Sequence, residues 1–129
     1  MSTTANIGIA QIGQIAIPIQ DLDRAVAFYR DTLGLPFLFQ APPGLAFFQC
    51  GEVRLMLSRP EGVAEPQSAA VLYYKVADLP AAYAALQARQ VVFLDQPHLI
   101  AKLADHELWM VFFRDSEGNT VALMSEVRV

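Results

Sequence analysis

Apolar and polar positions alternate from Ile12 to Ile19. Ile15, Ile17 and Ile19 fall on one face, and Gln14, Ala16 and Pro18 on the other. A period of two predicts a strand with one face buried. The period then lengthens. Leu22, Val26, Tyr29 and Leu33 recur at helical spacing, which predicts an amphipathic helix. Asp21 is placed to cap its N-terminus, and Gly34 stands where a C-terminal cap glycine belongs. Three short strands are expected next, Leu35 to Gln40, Leu45 to Cys50 and Val53 to Ser58. The turns between them are marked by Ala41-Pro42-Pro43-Gly44 and Gly51-Glu52.

The same order returns in the second half. Pro18-Ile19-Gln20-Asp21-Leu22 leads into Ala25 and Ala27; fifty-seven residues on, Lys75-Val76-Ala77-Asp78-Leu79 leads into Ala82 and Ala84. Val71 to Val76 reads as a strand and Asp78 as a cap. Leu79, Ala82, Tyr83 and Leu86 form a helical stripe, with Pro80 in the first turn, where its missing N–H costs little. Strands are expected over Val91 to Leu94, Leu108 to Phe113 and Thr120 to Ser125, with a turn at Asp115-Ser116-Glu117-Gly118-Asn119. The chain therefore divides into module one (about 12–58), a Pro- and Gly-containing linker (59–69) and module two (about 70–126). The copies differ in one place. Asp21 to Gly51 spans 30 residues and Asp78 to Gly118 spans 40. The additional ten fall around Gln96 to Glu107, which reads as a long loop carrying both histidines, His98 and His106.

Composition narrows the function classes. With 54% hydrophobic and 17% charged residues in 129, the chain has ample material for one core. A net charge of −4 with nine scattered basic residues argues against nucleic acid, whose phosphates call for clustered Lys and Arg. No apolar run reaches the roughly 18 residues of a membrane span, and Met1 to Gln11 lacks the basic start of a signal peptide. The single cysteine, Cys50, cannot form an internal disulfide and reads as a small buried strand residue. A reducing, cytoplasmic setting fits.

The doubled strand–helix–three-strand unit, with I-P-I-x-D-L-D-R-A-V-A-F-Y-R-D-T-L-G in the first copy, resembles the vicinal oxygen chelate superfamily. That group includes glyoxalase I, extradiol dioxygenases, and fosfomycin and bleomycin resistance proteins. F-F-R-D-S-E-G-N-T-V-A-L in the second half is similar to the family's F-x-D-P-D-G-N-x-x-E-L ending, with Ser116 in place of Pro. The resemblance runs from about Gly13 to Glu126. It implies an α+β fold in which two βαβββ modules form a cup-shaped mixed sheet with helices on the outer face. It does not fix a function, because one fold hosts many chemistries.

The family's metalloenzymes hold a divalent ion in the cup with His, Gln or Glu side chains from four strands. Carried over position by position, the first ligand falls at Gln14, an accepted ligand in some glyoxalases. The others fall at Met56, Val71 and Ala122. Three of the four are apolar, whereas such ions need oxygen or imidazole donors. The usual metal site is therefore expected to be absent and no cofactor is expected, with Gln14, His98 and His106 left as a rearranged divalent-metal set. His106 is not the start of a zinc helix motif, because a second His would stand at 110, which is Met110. His98 and His106 read as exposed loop residues, as acid–base or ligand-contacting groups, or as metal ligands. His106 and Glu107 are the candidate catalytic pair.

Strand alternation places Gln14, Arg54, Met56, Tyr73, Lys75 and Ala122 on the cup face, a mixture that suits a small organic ligand. Arg54 and Lys75 are candidates for holding an anionic group. Trp109 is either core filler or a stacking wall, and His98 is a further ligand contact. Of Phe47–Phe48 and Phe112–Phe113, one of each pair must face the core. Two classes of function follow. One is a metal-free small-molecule binding protein; the other is a metal-dependent lyase, isomerase or dioxygenase using Gln14 and the His98/His106 loop. The family resemblance implies a homodimer.

Overall fold

The computed structural model describes residues 7–59 and 70–129. The linker expected over 59–69 lies, apart from Arg59, outside the described residues, as does the start of the chain. Strand β1 (Gln14–Pro18) is followed by helix α1 (Leu22–Ala27), which continues into a π-helical turn over Phe28–Thr32. Strands β2 (Phe37–Ala41), β3 (Leu45–Cys50) and β4 (Val53–Ser58) complete module one. They form one sheet in the order β1-β4-β3-β2, with β1 parallel to β4 and the remaining pairs antiparallel.

The local reasons are those the pattern supplies. The Asp21 carboxylate accepts from Arg24 N at 3.1 Å and satisfies a helix donor that has no partner inside the helix. Gly34 adopts φ +79°, a left-handed conformation that favours glycine. Ile17, Ile19, Val26, Tyr29, Phe48, Leu55 and Leu57 make the buried core of this module.

Module two contains β5 (Leu72–Lys75), α2 (Leu79–Ala88), β6 (Val92–Phe93), β7 (His98–Lys102), β8 (His106–Arg114) and β9 (Thr120–Arg128). Asp78 accepts from Ala81 N at 3.0 Å. The sheet runs β5-β9-β8, with β5 parallel to β9, and β6 and β7 both pair along the outer edge of β8. Its core is Leu79, Leu86, Val111, Phe113, Val121 and Leu123. Phe28, Leu33, Leu72 and Tyr74 pack against both cores, so the modules share one apolar interior.

The stretch from Gln96 to Glu107 corrects the sequence reading. It is not a long loop. Strand β7 and the start of β8 form an antiparallel hairpin with a tight turn over 103–105. The ten additional residues lengthen the ladder: β8 and β9 have nine residues each, against six each in β3 and β4. The edge strand is broken at Asp95-Gln96-Pro97. There the Asp95 side chain stands in for backbone, accepting from Phe112 N at 2.9 Å where the chain turns toward a proline that has no N–H to donate.

Candidate functional site

Each sheet has a face turned away from its helix, and strand register fixes which residues share it. In module one, Gln14 pairs with Arg54, Ala16 with Met56, Phe47 with Met56 and Gln49 with Arg54. These side chains meet. Arg54 Nε donates to Gln14 Oε1 at 2.8 Å, and Gln14 Nε2 donates to Met56 Sδ at 3.8 Å. The Arg54 guanidinium lies over the Phe47 ring, 5.7 Å from its centroid, a cation–π distance. Phe39 stacks on Phe47 at 4.5 Å. The result is an exposed aromatic shelf with one cation and one amide at its end.

In module two, Tyr73 pairs with Ala122, which also pairs with Phe112, while Lys75 pairs with Met124 and Met124 with Met110. Tyr73 and Phe112 meet edge to face at 5.8 Å. Ala122, between them, is fully buried. Farther along β9 a chain of polar contacts forms. Lys75 Nζ lies 2.6 Å from Glu126 Oε1, His106 Nε2 lies 3.0 Å from Glu126 Oε2, and His106 Nδ1 lies 2.7 Å from Asp105 Oδ1. Lys75 holds the Glu126 carboxyl below the usual carboxylate range, and His106 does the same for Asp105.

The two modules meet where β1 lies against module two. Ile15, Ala16 and Ile17 share a small cavity with Leu72, Asn119 and Val121, and Asn119 Nδ2 donates to Pro18 O at 3.0 Å. The Asp115–Asn119 turn locks this contact. The Tyr29 hydroxyl donates to Asp115 Oδ2 at 2.6 Å. Glu117 Oε1 accepts from Gln20 N and Asp21 N at 2.8 Å each, and Arg24 Nε donates to Glu117 Oε2 at 2.8 Å. Burial alone would push the Glu117 carboxyl up. The hydrogen bonds from Arg24, Asp21, Gln20 and Ser116 outweigh it and bring it down to about 2. Burial pushes the Tyr29 hydroxyl well above its usual range, with Tyr74 and Asp115 adding to the effect.

Register also tests the family's ligand positions. Ala16 pairs with Met56, and Tyr73, its counterpart in the repeat, pairs with Ala122. Met56 and Ala122 are thus structurally equivalent, one a thioether and the other a methyl group. Val71, just before β5, has no donor atom. Gln14 supplies one amide. This set does not fit a divalent ion of the family's kind. Nor do the histidines rebuild it. His98 pairs with Met110, four residues from His106 along β8, which is roughly 13 Å of strand. His98 Nδ1 is engaged by Gln96 O at 2.7 Å. Gln14 stands on the other sheet, so the structure does not bring Gln14, His98 and His106 into one cluster. Among the described residues there is no group of three or more His, Cys, Asp or Glu positioned to hold a metal.

Two expected site residues sit on the wrong face. Successive side chains on a strand point to opposite sides. His106, Leu108, Met110 and Phe112 therefore face inward, while Glu107 and Trp109 face the helix side. Trp109 packs against the module-two core, and its indole N–H donates to Glu107 Oε1 at 3.2 Å. His106 and Glu107 therefore stand on opposite faces of β8. What sequence reading missed is the role of Glu117 and Asp115, visible in the sequence only as turn residues. Phe47 and Phe112 line the inner face, and Phe48 and Phe113 are in the core, as alternation requires.

Residues 11–123 match the family model described as the Glyoxalase/Bleomycin resistance protein/Dioxygenase superfamily. A glyoxylase-like domain-containing protein of Didymella fabae is 34% identical over 128 residues, covering 88% of this chain and 91% of the relative. Among solved structures, TnmS3, an antibiotic binding protein from Streptomyces sp. CB03234, superposes with a TM-score of 0.76 at 24% identity, covering 94% of this chain and 99% of that one. Lactoylglutathione lyase from Agrobacterium tumefaciens superposes with a TM-score of 0.70 at 25% identity, covering 92% and 95%. No helix among the described residues is long and apolar enough to cross a membrane. With a family model spanning both modules and a doubled βαβββ architecture, the chain belongs to the Glyoxalase/Bleomycin resistance protein/Dioxygenase superfamily.

Proposed function

We propose that this protein binds a small organic molecule on the inner faces of its two sheets, without the divalent ion of the family's metalloenzymes, and that it does so as a homodimer in the cytoplasm. One observation carries the reading. The equivalent inner positions Met56 and Ala122 offer no oxygen or imidazole donor for a divalent ion, while the inner face of module one presents Phe47 and Phe39 beside Arg54 and Gln14, and that of module two presents Tyr73 and Phe112 on the sheet that carries Lys75. Apolar walls with a few convergent polar groups are what small organic ligands require. The family fold accommodates both outcomes, since its members include a lyase and an antibiotic binding protein. Exposed Phe37, Leu38 and Phe39 on the edge strand β2 give a second copy something to cover.

Elemental analysis of protein purified without a histidine tag tests the metal-free reading. Substoichiometric metal is expected, with a melting temperature unchanged by chelator or by added Ni, Zn, Fe or Mn. One equivalent of any of these ions per chain overturns the reading. Arg54→Ala is expected to weaken an anionic aromatic ligand about ten-fold, the effect of one lost charge-assisted contact. Light scattering at micromolar concentration is expected to give a dimer mass, and a monomer mass refutes that part.

A further inference from the structure

On the side of module two opposite the inner face lies a second cavity, of about 280 Å³. Its floor is set by register: Glu107 pairs with Val127 and Trp109 with Ser125, so all four side chains stand side by side on the helix side of β8 and β9. Leu79 and Pro80 of α2 close one wall, and Pro97, at the break in the edge strand, closes another. Two features mark it as more than a packing gap. Ser125 is 1% exposed, and its hydroxyl has no hydrogen-bond partner, an arrangement that costs free energy unless something else supplies the partner. Glu107 is the only charged residue in the lining. Among the described residues its sole side-chain hydrogen bond is the one from the Trp109 indole.

The chemistry selects a cation over an anion. The start of α2 offers little to a negative group: Pro80 has no N–H, and the Ala81 N–H is taken by Asp78 at 3.0 Å. A carboxylate held at an indole N–H instead recognises an ammonium, through a charge-assisted hydrogen bond. The proline, leucine and valine walls take an apolar body. The volume is at the small end for ligand sites, room for on the order of ten non-hydrogen atoms.

We infer that this cavity is a second binding site, for a small organic amine: ammonium on Glu107, aromatic or aliphatic body against Trp109, hydrogen bond to Ser125. It is independent of the inner-face site, which lies across the sheet. It also exists only because module two is lengthened, since Glu107, Pro97 and Val127 all belong to the extended hairpin and its edge.

Trp109 is the only tryptophan, so its emission, and its single indole N–H signal in an amide NMR spectrum, report on this cavity alone. Titration with benzylamine is expected to shift both saturably. Benzyl alcohol, the neutral isostere, is expected to bind about ten-fold more weakly, and Glu107→Gln to remove that preference. Ser125→Ala deletes a hydroxyl without a partner, so its melting temperature is expected to stay level or rise while benzylamine affinity falls several-fold. Val127→Phe fills the cavity at a half-exposed position and is expected to abolish the indole shift in a folded protein. A linear, non-saturating response, equal affinity for amine and alcohol, or full binding by Val127→Phe overturns the inference, and none of these outcomes bears on the inner-face reading.

Discussion

The two modules share a plan and use it differently. Module one keeps its inner face open: Met56 is only partly covered, and Arg54 lies across Phe47 at the surface. Module two closes the equivalent place, where Tyr73 and Phe112 meet over a fully buried Ala122. It then spends its additional length on a hairpin whose far side holds a cavity that module one has no strand to form. The lesson is that a repeat conserves the skeleton, the strand order, the caps and the core, while the copies diverge at the face positions. A divergence of one side chain per strand is enough to leave the Met56 position open and to cover its counterpart at Ala122.

The sharpest way to break the comparison is to place the same charge at the two equivalent positions. Ala122→Glu forces a carboxylate into a fully buried site between two aromatic rings. It is expected to cost about 3 kcal/mol. Met56→Glu puts the same group beside Gln14 on a partly exposed face, within reach of the Arg54 that Gln14 binds. It is expected to cost less than about 1 kcal/mol. Urea denaturation of both variants measures the difference. Equal costs would mean that the Tyr73–Phe112 pair opens freely and that the modules do not differ in this respect.

The turns between the last two strands give a second contrast. In module one the turn is Gly51-Glu52, with Glu52 exposed. In module two the Glu117 side chain is 1% exposed and bridges to Arg24 and to the start of α1. Its carboxyl sits at about 2, below its usual 4.5. A depressed folded value means that the contribution is full above about 4.5 and is lost as pH falls toward about 2. Glu117→Gln is therefore expected to lower stability at neutral pH by on the order of 2 kcal/mol and to flatten the acid limb of the stability curve. Glu52→Gln is expected to stay within about 0.5 kcal/mol at every pH. Stability against urea, measured from neutrality to pH 3 for the three proteins, checks both; a Glu117→Gln limb as steep as wild type sinks the assignment.

Much of this was legible in the residues because it is local. Ile15, Ile17 and Ile19 alternate, Asp21 and Asp78 precede apolar stripes, and Gly34 follows one; each of these signals reports a backbone geometry within a few residues. The inner-face set was read from alternation; the register puts Gln14, Arg54, Met56 and Tyr73 on that face, with Ala122 fully covered between Tyr73 and Phe112. The hairpin was not legible. Pro97 and the charges around His106 have loop composition, and the register shift between Leu99 and Ala101 breaks the alternation that would have revealed β7. A stretch of loop composition carries no sign that Glu107 and His106 face opposite ways. The module lock was invisible for another reason. Tyr29 and Asp115 are 86 residues apart, and Arg24 and Glu117 are 93 apart. No local pattern records such a pairing.

The smallest of these differences concerns how each module finishes its edge. In module one, Gln49 N donates to Pro36 O at 2.9 Å and β2 continues the ladder with backbone alone. In module two, Leu94 N donates to Phe112 O at 2.9 Å, and the return bond, from Phe112 N, goes to the Asp95 carboxylate. One side-chain oxygen therefore ties the segment between β6 and β7 to β8 beside the Pro97 break. Asp95→Ala removes the acceptor and is expected to cost about 1 kcal/mol, or about 4 °C in melting temperature. The larger signal is local. Hydrogen exchange at Phe112 should accelerate while the β3 amides of module one keep their protection, and Asp95→Asn, which retains an oxygen, should restore most of it. If exchange at Phe112 is unchanged in Asp95→Ala, the edge is held by the β7 ladder itself, and the break at Pro97 is a passive kink that the lengthened hairpin tolerates without a side-chain bridge.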